Sequence, residues 1–330
     1  MNFKYNMMMF FILIVSPLMV ISVNSMISVW VNMEMNLMMF LLMMILNNVN
    51  IYDSSMKYFL MSSFSSSVFI LVINLNYYFF NNFFLLVMNL SMFMKLGVFP
   101  FYYWFIDLMT NLNWLSCLIL STWQKLIPLY ILMNVFNKML LYLVIFMNGL
   151  LSVFYGMNQV NMKKIMGYSS INHMSWMLMS LILSINMWFY YFILYTLFNL
   201  LIMLMLNKLM ILNLMDFYGF YDNYLKYYFM YLFMSLGGLP PFFGFSMKWY
   251  FIFEAMIKEN VFIMMFLLFY SFVYLYYYIR VIYMTMIMNY DSVNFFNSVE
   301  SYNNNNKNLM MMMSFLMILS LLIITVWFMY

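Results

Sequence analysis

The sequence predicts an all-α polytopic membrane protein with about eleven transmembrane helices, and three observations carry that prediction. Of 330 residues, 68% are apolar and 7% charged, against about 25% charged in an ordinary soluble domain. The mean hydropathy is +0.93. Apolar runs of about 20 residues, the length that crosses a bilayer, recur from end to end, and no polar stretch between them is long enough for a separate soluble domain. A single membrane domain over 1–330 is therefore expected. Helices rather than barrel strands follow, because the runs are long and do not alternate, and a helix satisfies its own backbone groups in lipid.

Asn, Asp, Lys and Pro divide the chain into crossings near 7–23, 27–46, 56–75, 83–105, 113–135, 139–157, 168–186, 188–207, 226–252, 260–288 and 309–329. The first run follows Lys4 and is read as a helix rather than a signal peptide, because the chain continues into more membrane. Loops are short except near 208–225 and 289–308, the latter containing NNNNKN. An odd number of crossings puts the termini on opposite sides. Lys4, Lys57, Lys163, Lys164, Lys208, Lys226 and Lys307 then share the N-terminal side, and Lys138 and Lys258 the other. The positive-inside rule places the N-terminus inside.

The fourth and ninth crossings contain helix breakers at mid-depth. One is KLGVFP, with Gly97 and Pro100; the other is SLGGLPPFFGF, with Gly237, Gly238, Pro240 and Pro241. If 1–135 and 139–288 are five-helix halves followed by a C-terminal helix at 309–329, each break falls on the fourth member of its half. Broken helices at matching positions point to antiporter-like inverted repeats with an ion path beside the breaks. Ordinary helix kinks are the alternative.

Four charged residues fall inside crossings: Glu34, Lys95, Lys125 and Lys248. An ammonium at mid-bilayer costs roughly 2.5–3.5 kcal/mol on the insertion scale, so such groups face protein or a water-filled cavity. A carboxylate near ammonium groups would let protons pass between neighbours; static ion pairs that pin helices are the competing reading. Glu34 and Lys95 are expected to be nearest neighbours, and all four to converge on one hydrated layer. His173 is the sole histidine, which excludes a multi-histidine metal site and leaves either a packing residue or a proton relay. Lys163 and Lys164 are read as solvated charges at a helix end and held as further relay candidates. Asp107 is read as a loop residue that could cap a helix.

The net charge of +4 comes from singly scattered residues, so no nucleic-acid partner is indicated. Cys117 is the only cysteine, which excludes an all-cysteine iron–sulfur cluster and an internal disulfide within the chain. No Gly-rich nucleotide loop is present, so neither a bound cofactor nor a metal is expected, and redox chemistry would belong to partner chains. The chain has 47 Met, 38 Phe and 30 Tyr, but only Ala255 and Arg280 of their kinds. That bias fits an AT-rich gene, and reading ATA as Met, as animal mitochondria do, would deepen it.

MEMNLMMF, MKYFL, MKLGVFPFYYW, STWQKLIPLYIL, NQVNMKKIMGYSSINHMSWM and SLGGLPPFFGFSMKW follow one another in an order that resembles the antiporter-like chain-2 family of respiratory complex I, mitochondrial NADH:ubiquinone oxidoreductase, in its animal form. The similarity runs almost end to end. It implies a non-redox membrane subunit in the mitochondrial inner membrane, N-terminus on the matrix side, that helps translocate protons. It also implies that other membrane-arm subunits surround the chain, and that NADH, FMN, iron–sulfur clusters and ubiquinone lie on partners. By motif, Lys95 matches the lysine of the first broken helix, Glu34 its glutamate partner, Lys125 the central lysine and Lys248 the lysine at the second break. Tyr102 stands where the family commonly has histidine, and Ser246 and Met247 stand where Leu-Pro is usual. A free-standing cation/proton antiporter and a structural scaffold are the other classes.

Overall fold

The computed structural model describes residues 2–23, 25–47, 52–76, 82–219, 223–240, 242–258 and 261–287. The crossing expected at 309–329 and Pro241 lie outside them. The helices are α1 Asn2–Ser22, α2 Met26–Asn47, α3 Tyr52–Asn76, α4 Asn82–Leu96, α5 Tyr102–Asn111, α6 Trp114–Ser121, α7 Leu126–Asn134, α8 Lys138–Gly156, α9 Met162–Leu183, α10 Ile185–Lys208, α11 Asn223–Gly237, α12 Phe243–Ile257 and α13 Val261–Ile287. A 3₁₀ turn, Trp123–Lys125, joins α6 to α7, and another, Leu214–Gly219, follows α10. Among the described residues, six segments are long and apolar enough to span a membrane: Met26–Leu46, Tyr52–Leu75, Trp114–Asn134, Lys138–Gly156, Ile185–Lys208 and Val261–Met286.

The chain leaves helix between α4 and α5 and again between α11 and α12, and both stops have the same local cause. Gly97 has φ +65° and Gly238 φ +74°, the left-handed conformation that ends a helix in a Schellman motif. Gly97 N donates to Met94 O and Val98 N to Phe93 O; at the other stop Gly238 N donates to Ser235 O and Leu239 N to Met234 O. A turn follows each: Phe101 N donates to Val98 O at 2.7 Å, and Phe242 N to Leu239 O at 2.9 Å. The Phe99 N–H left over at the first stop is taken by Asn148 Oδ1 of α8 at 2.8 Å.

Backbone groups freed by proline in the apolar interior are treated with equal care. Pro17 sits inside α1 and cannot donate to Leu13 O; Trp123 Nε1 donates there instead, at 2.7 Å. Pro128 likewise cannot bond Gln124 O, which contributes to the interruption between α6 and α7. The fifth expected crossing, 113–135, is thus not one regular helix.

α9 is the centre of the packing. All but Lys164 and Ile182 of its residues are buried, the pattern of a helix surrounded by others. Its serines fold back on their own helix, as Ser169 to Met166 O and Ser170 to Gly167 O do. Small residues of this kind let helices approach closely in a membrane. α5, α6, α8, α10, α12 and α13 all touch α9. Across α8 and α13, Tyr277 Oη donates to Ser152 O at 2.9 Å, and Arg280 donates to Met157 O and Gln159 O at the end of α8.

The helix positions also revise three sequence expectations. α9 begins at Met162, six residues before the expected start, so Lys163 lies in its first turn; it is 9% exposed rather than solvated. Lys226, expected on the N-terminal side at a crossing's edge, is buried in α11. Asp107 lies within α5 rather than in a loop, and accepts from Lys57 at 3.0 Å at an exposed position.

Candidate proton-conducting axis

Lys95 is the next-to-last residue of α4, held there by the Gly97 stop just described. Its Nζ lies 3.4 Å from Met33 Sδ on α2, and the half-buried Glu34 beside Met33 acts electrostatically on both Lys95 and Tyr58 of α3. Among the described residues Glu34 and Lys95 form no salt bridge within 4.0 Å; the pairs present are Lys57–Asp107 and Lys258–Glu254.

Lys125 closes the 3₁₀ turn between α6 and α7. Its side chain is 2% exposed, and its Nζ has no hydrogen-bond partner among the described residues. The ammonium position is 4.9 Å from the centre of the Phe105 ring and 5.7 Å from that of Tyr195. Aromatic faces attract a cation but offer it no acceptor lone pair.

Lys95 and Lys125 line one cavity of about 30 Å³, together with Asn36, Tyr58, Ser62 and Gln124. That space suits about two waters, and its polar lining gives them partners. Gln124 bridges the wall: its Nε2 donates to Asn36 Oδ1 at 3.1 Å, and its Oε1 accepts from Tyr58 Oη at 3.3 Å. Sequence reasoning missed all three residues. Gln124 adjoins Lys125, but partners on α2 and α3 are too distant in the chain to be read from spacing.

On the far side of Lys125 the polar groups continue through α9 and α10. Tyr195 Oη donates to Ser121 O at 3.3 Å, and its ring lies 5.2 Å from the His173 ring. His173 Nδ1 is 2.8 Å from Tyr191 Oη, both groups being buried. The charges of Lys125 and Lys248 both reach His173. Trp176, one helical turn beyond His173, stacks on Tyr191 and lies under Lys248 Nζ at 5.7 Å.

Lys248 is on α12, and its Nζ donates to Gly237 O at 2.6 Å, an open carbonyl at the end of α11. Gly238 makes room for it: a Cβ there would lie 2.8 Å from Lys248 Cδ and Cε and 2.9 Å from Nζ. Ser246 and Met247 occupy the first turns of α12, so helix forms here without the proline common in the family.

The structure therefore brings Lys95 and Lys125 to one cavity, and His173 between Lys125 and Lys248. It sets Lys163 and Lys164 apart. Lys163 is ten residues from His173, roughly 15 Å along α9, and its Nζ donates to Thr110 O at 3.3 Å and Leu112 O at 2.6 Å. There it neutralises open carbonyls at the end of α5. Lys164 is half-buried beside it.

Residues 23–273 match the family model described as NADH:quinone oxidoreductase/Mrp antiporter, TM. NADH-ubiquinone oxidoreductase chain 2 of Aedes aegypti is 35% identical over 328 residues, covering 96% of each chain. Among solved structures, respiratory complex I from Thermus thermophilus contains a chain that matches 90% of this one and 73% of its own length, with TM-score 0.77 and 20% identity. The archaeal membrane-bound sulfane sulfur reductase contains another, covering 94% and 72%, with TM-score 0.80 and 17% identity. At those identities the two structures establish likeness of fold.

Proposed function

The chain belongs to the NADH:quinone oxidoreductase/Mrp antiporter family, and from that membership we propose how it works within respiratory complex I. It acts as a core membrane subunit that contributes to proton translocation across the mitochondrial inner membrane. Other membrane-arm subunits surround it, and partner subunits oxidise NADH and reduce ubiquinone. The chain itself is non-redox: NADH, FMN, iron–sulfur clusters and ubiquinone sit on partners, in keeping with Cys117 as its sole cysteine.

One observation carries the reading: Lys125 is buried, without a hydrogen-bond partner among the described residues, on the wall of a cavity that Lys95 shares and into which Asn36, Tyr58, Ser62 and Gln124 bring polar groups. A fixed structural charge would be expected to have a carboxylate or carbonyl to hold it, since an uncompensated buried ion costs several kcal/mol. A group that alternates between ammonium and amine gains from having none. Glu34 and Lys95 form the entry pair, water in the cavity carries the proton to Lys125, and His173 links Lys125 to Lys248. Each transfer from an ammonium or imidazolium leaves that donor neutral and charges the acceptor, whereas Glu34 becomes an anion when it gives up its proton.

The chain crosses the membrane eleven times, with the N-terminus in the matrix, as two five-helix halves and a C-terminal helix. The similar hydrogen-bond pattern at the Gly97 and Gly238 stops, with an i→i−5 bond from the residue after each glycine, supports a repeated unit whose fourth member is broken.

Isolation from native membranes tests membership and mechanism together. The chain should co-purify with an NADH-oxidising assembly whose proton transfer falls when Lys125 is replaced. Purification alone, with cation/proton exchange unassisted by other subunits, would instead make it a free-standing antiporter.

A further inference from the structure

Between Lys125 and Lys248 the only imidazole of the chain is His173, and what that ring can do depends on which nitrogen carries its proton. Tyr191 bears directly on that choice. Its hydroxyl lies 2.8 Å from His173 Nδ1, deep in the bundle, with Tyr191 0% and His173 6% exposed. A phenol keeps its proton near neutral pH. Nδ1 is the hydrogen-bond acceptor the structure gives that hydroxyl, so the O–H donates, Nδ1 accepts, and Nε2 carries the imidazole proton. Tyr191 is itself braced: its ring stacks on Trp176 at 6.5 Å and meets the edge of Phe251 at 5.2 Å. Tyr195, one turn along α10, lies with its ring 5.2 Å from the imidazole and 5.7 Å from Lys125 Nζ.

We propose that Tyr191 is the positioning residue of His173, its hydroxyl holding the imidazole in one tautomer and so deciding when that ring can take a proton between Lys125 and Lys248. With Nε2 already protonated, the ring gains a second proton only at Nδ1. That proton leaves a lysine ammonium, which becomes an amine. The Tyr191 hydroxyl must turn from donating to Nδ1 to accepting from the new Nδ1–H. Loss of that same proton from Nδ1 to the amine of the other lysine restores the starting tautomer, and the hydroxyl then donates to Nδ1 again. No electron moves, and the tyrosine keeps its own proton throughout. This inference deepens the proton-path reading above and rests on it.

The test uses the assembled complex in sealed membrane vesicles, measuring NADH turnover under proton load and proton uptake per NADH. Tyr191→Phe keeps the ring packing against Trp176 and Phe251 and removes only the hydroxyl. Normal assembly is expected with turnover under load lowered about tenfold, which corresponds to about 1.4 kcal/mol. His173→Gln should show a loss of the same size, and the double variant Tyr191→Phe/His173→Gln no further loss, because the hydroxyl acts through the imidazole alone. Wild-type turnover in Tyr191→Phe, or additive losses in the double variant, would overturn the proposal. So would failure of Tyr191→Phe to assemble while His173→Gln assembles, since the hydroxyl would then serve the fold. Lys125→Ala measured alongside separates the two levels. Full proton uptake in Lys125→Ala rejects the path itself, whereas loss there with none in Tyr191→Phe rejects only the role of Tyr191.

Discussion

Replacing Gly238 by alanine perturbs the second helix stop at a place where backbone and function share the same few ångströms. Two costs arise. Alanine at φ +74° takes on roughly 1–2 kcal/mol of left-handed strain. Its Cβ would also stand 2.8 Å from Lys248 Cδ and Cε, forcing the side chain off Gly237 O and breaking a 2.6 Å bond from an ammonium, worth about 1.5–3 kcal/mol. Together the effect is about 2.5–5 kcal/mol. A large membrane assembly is best followed by its rate of thermal inactivation, and an acceleration of at least about tenfold is expected. In a Lys248→Ala background only the strain remains, so the same glycine replacement should cost about 1–2 kcal/mol there. Equal costs in both backgrounds would refute the claim that Gly238 exists to seat Lys248.

Asn148→Leu leaves the Phe99 N–H buried without the acceptor it now has at 2.8 Å. The complex should inactivate faster by an amount equivalent to about 1–3 kcal/mol, read from thermal half-lives; an unchanged half-life would remove Asn148 from the account of the first break. Lys163→Met removes the two donations to the end of α5. Native gels should show less assembled complex, while the fraction that assembles keeps its proton uptake per NADH. Lost uptake at full assembly would return Lys163 to the list of relay groups.

How far the sequence reaches is clearest at the two glycine stops and least clear at Lys125. Gly97 and Gly238 could be singled out because a glycine and proline together inside an apolar run conflict with continuous helix, and local chemistry decides such a conflict. The four interior charges stand out for the same reason: their cost in lipid is a property of the single residue. Pro128, three residues downstream in a run that otherwise reads as one crossing, contributes to the turn at Lys125. Lys163 looks solvated because it sits beside Lys164 near a polar segment. Its burial is set by α5, more than 50 residues away. The Asn36–Gln124–Tyr58 bridge and the Tyr191–His173 pair join residues from different helices, and side-chain partners of that kind follow from packing, not periodicity. The expected close pair of Glu34 and Lys95 shows the same boundary: the residues neighbour each other electrostatically, but the lysine head group touches Met33 Sδ.

Proton uptake per NADH oxidised, in vesicles carrying Lys125→Ala and normalised to assembled complex, bears most directly on the claim that this lysine carries protons. Alanine is a good helix former and strands no hydrogen-bond partner among the described residues, since Lys125 Nζ has none. The account predicts near-normal assembly with uptake, or turnover coupled to it, lost well beyond any loss of complex. Wild-type uptake and turnover at normal assembly would contradict it and leave Lys125 as a buried charge that the protein tolerates without using.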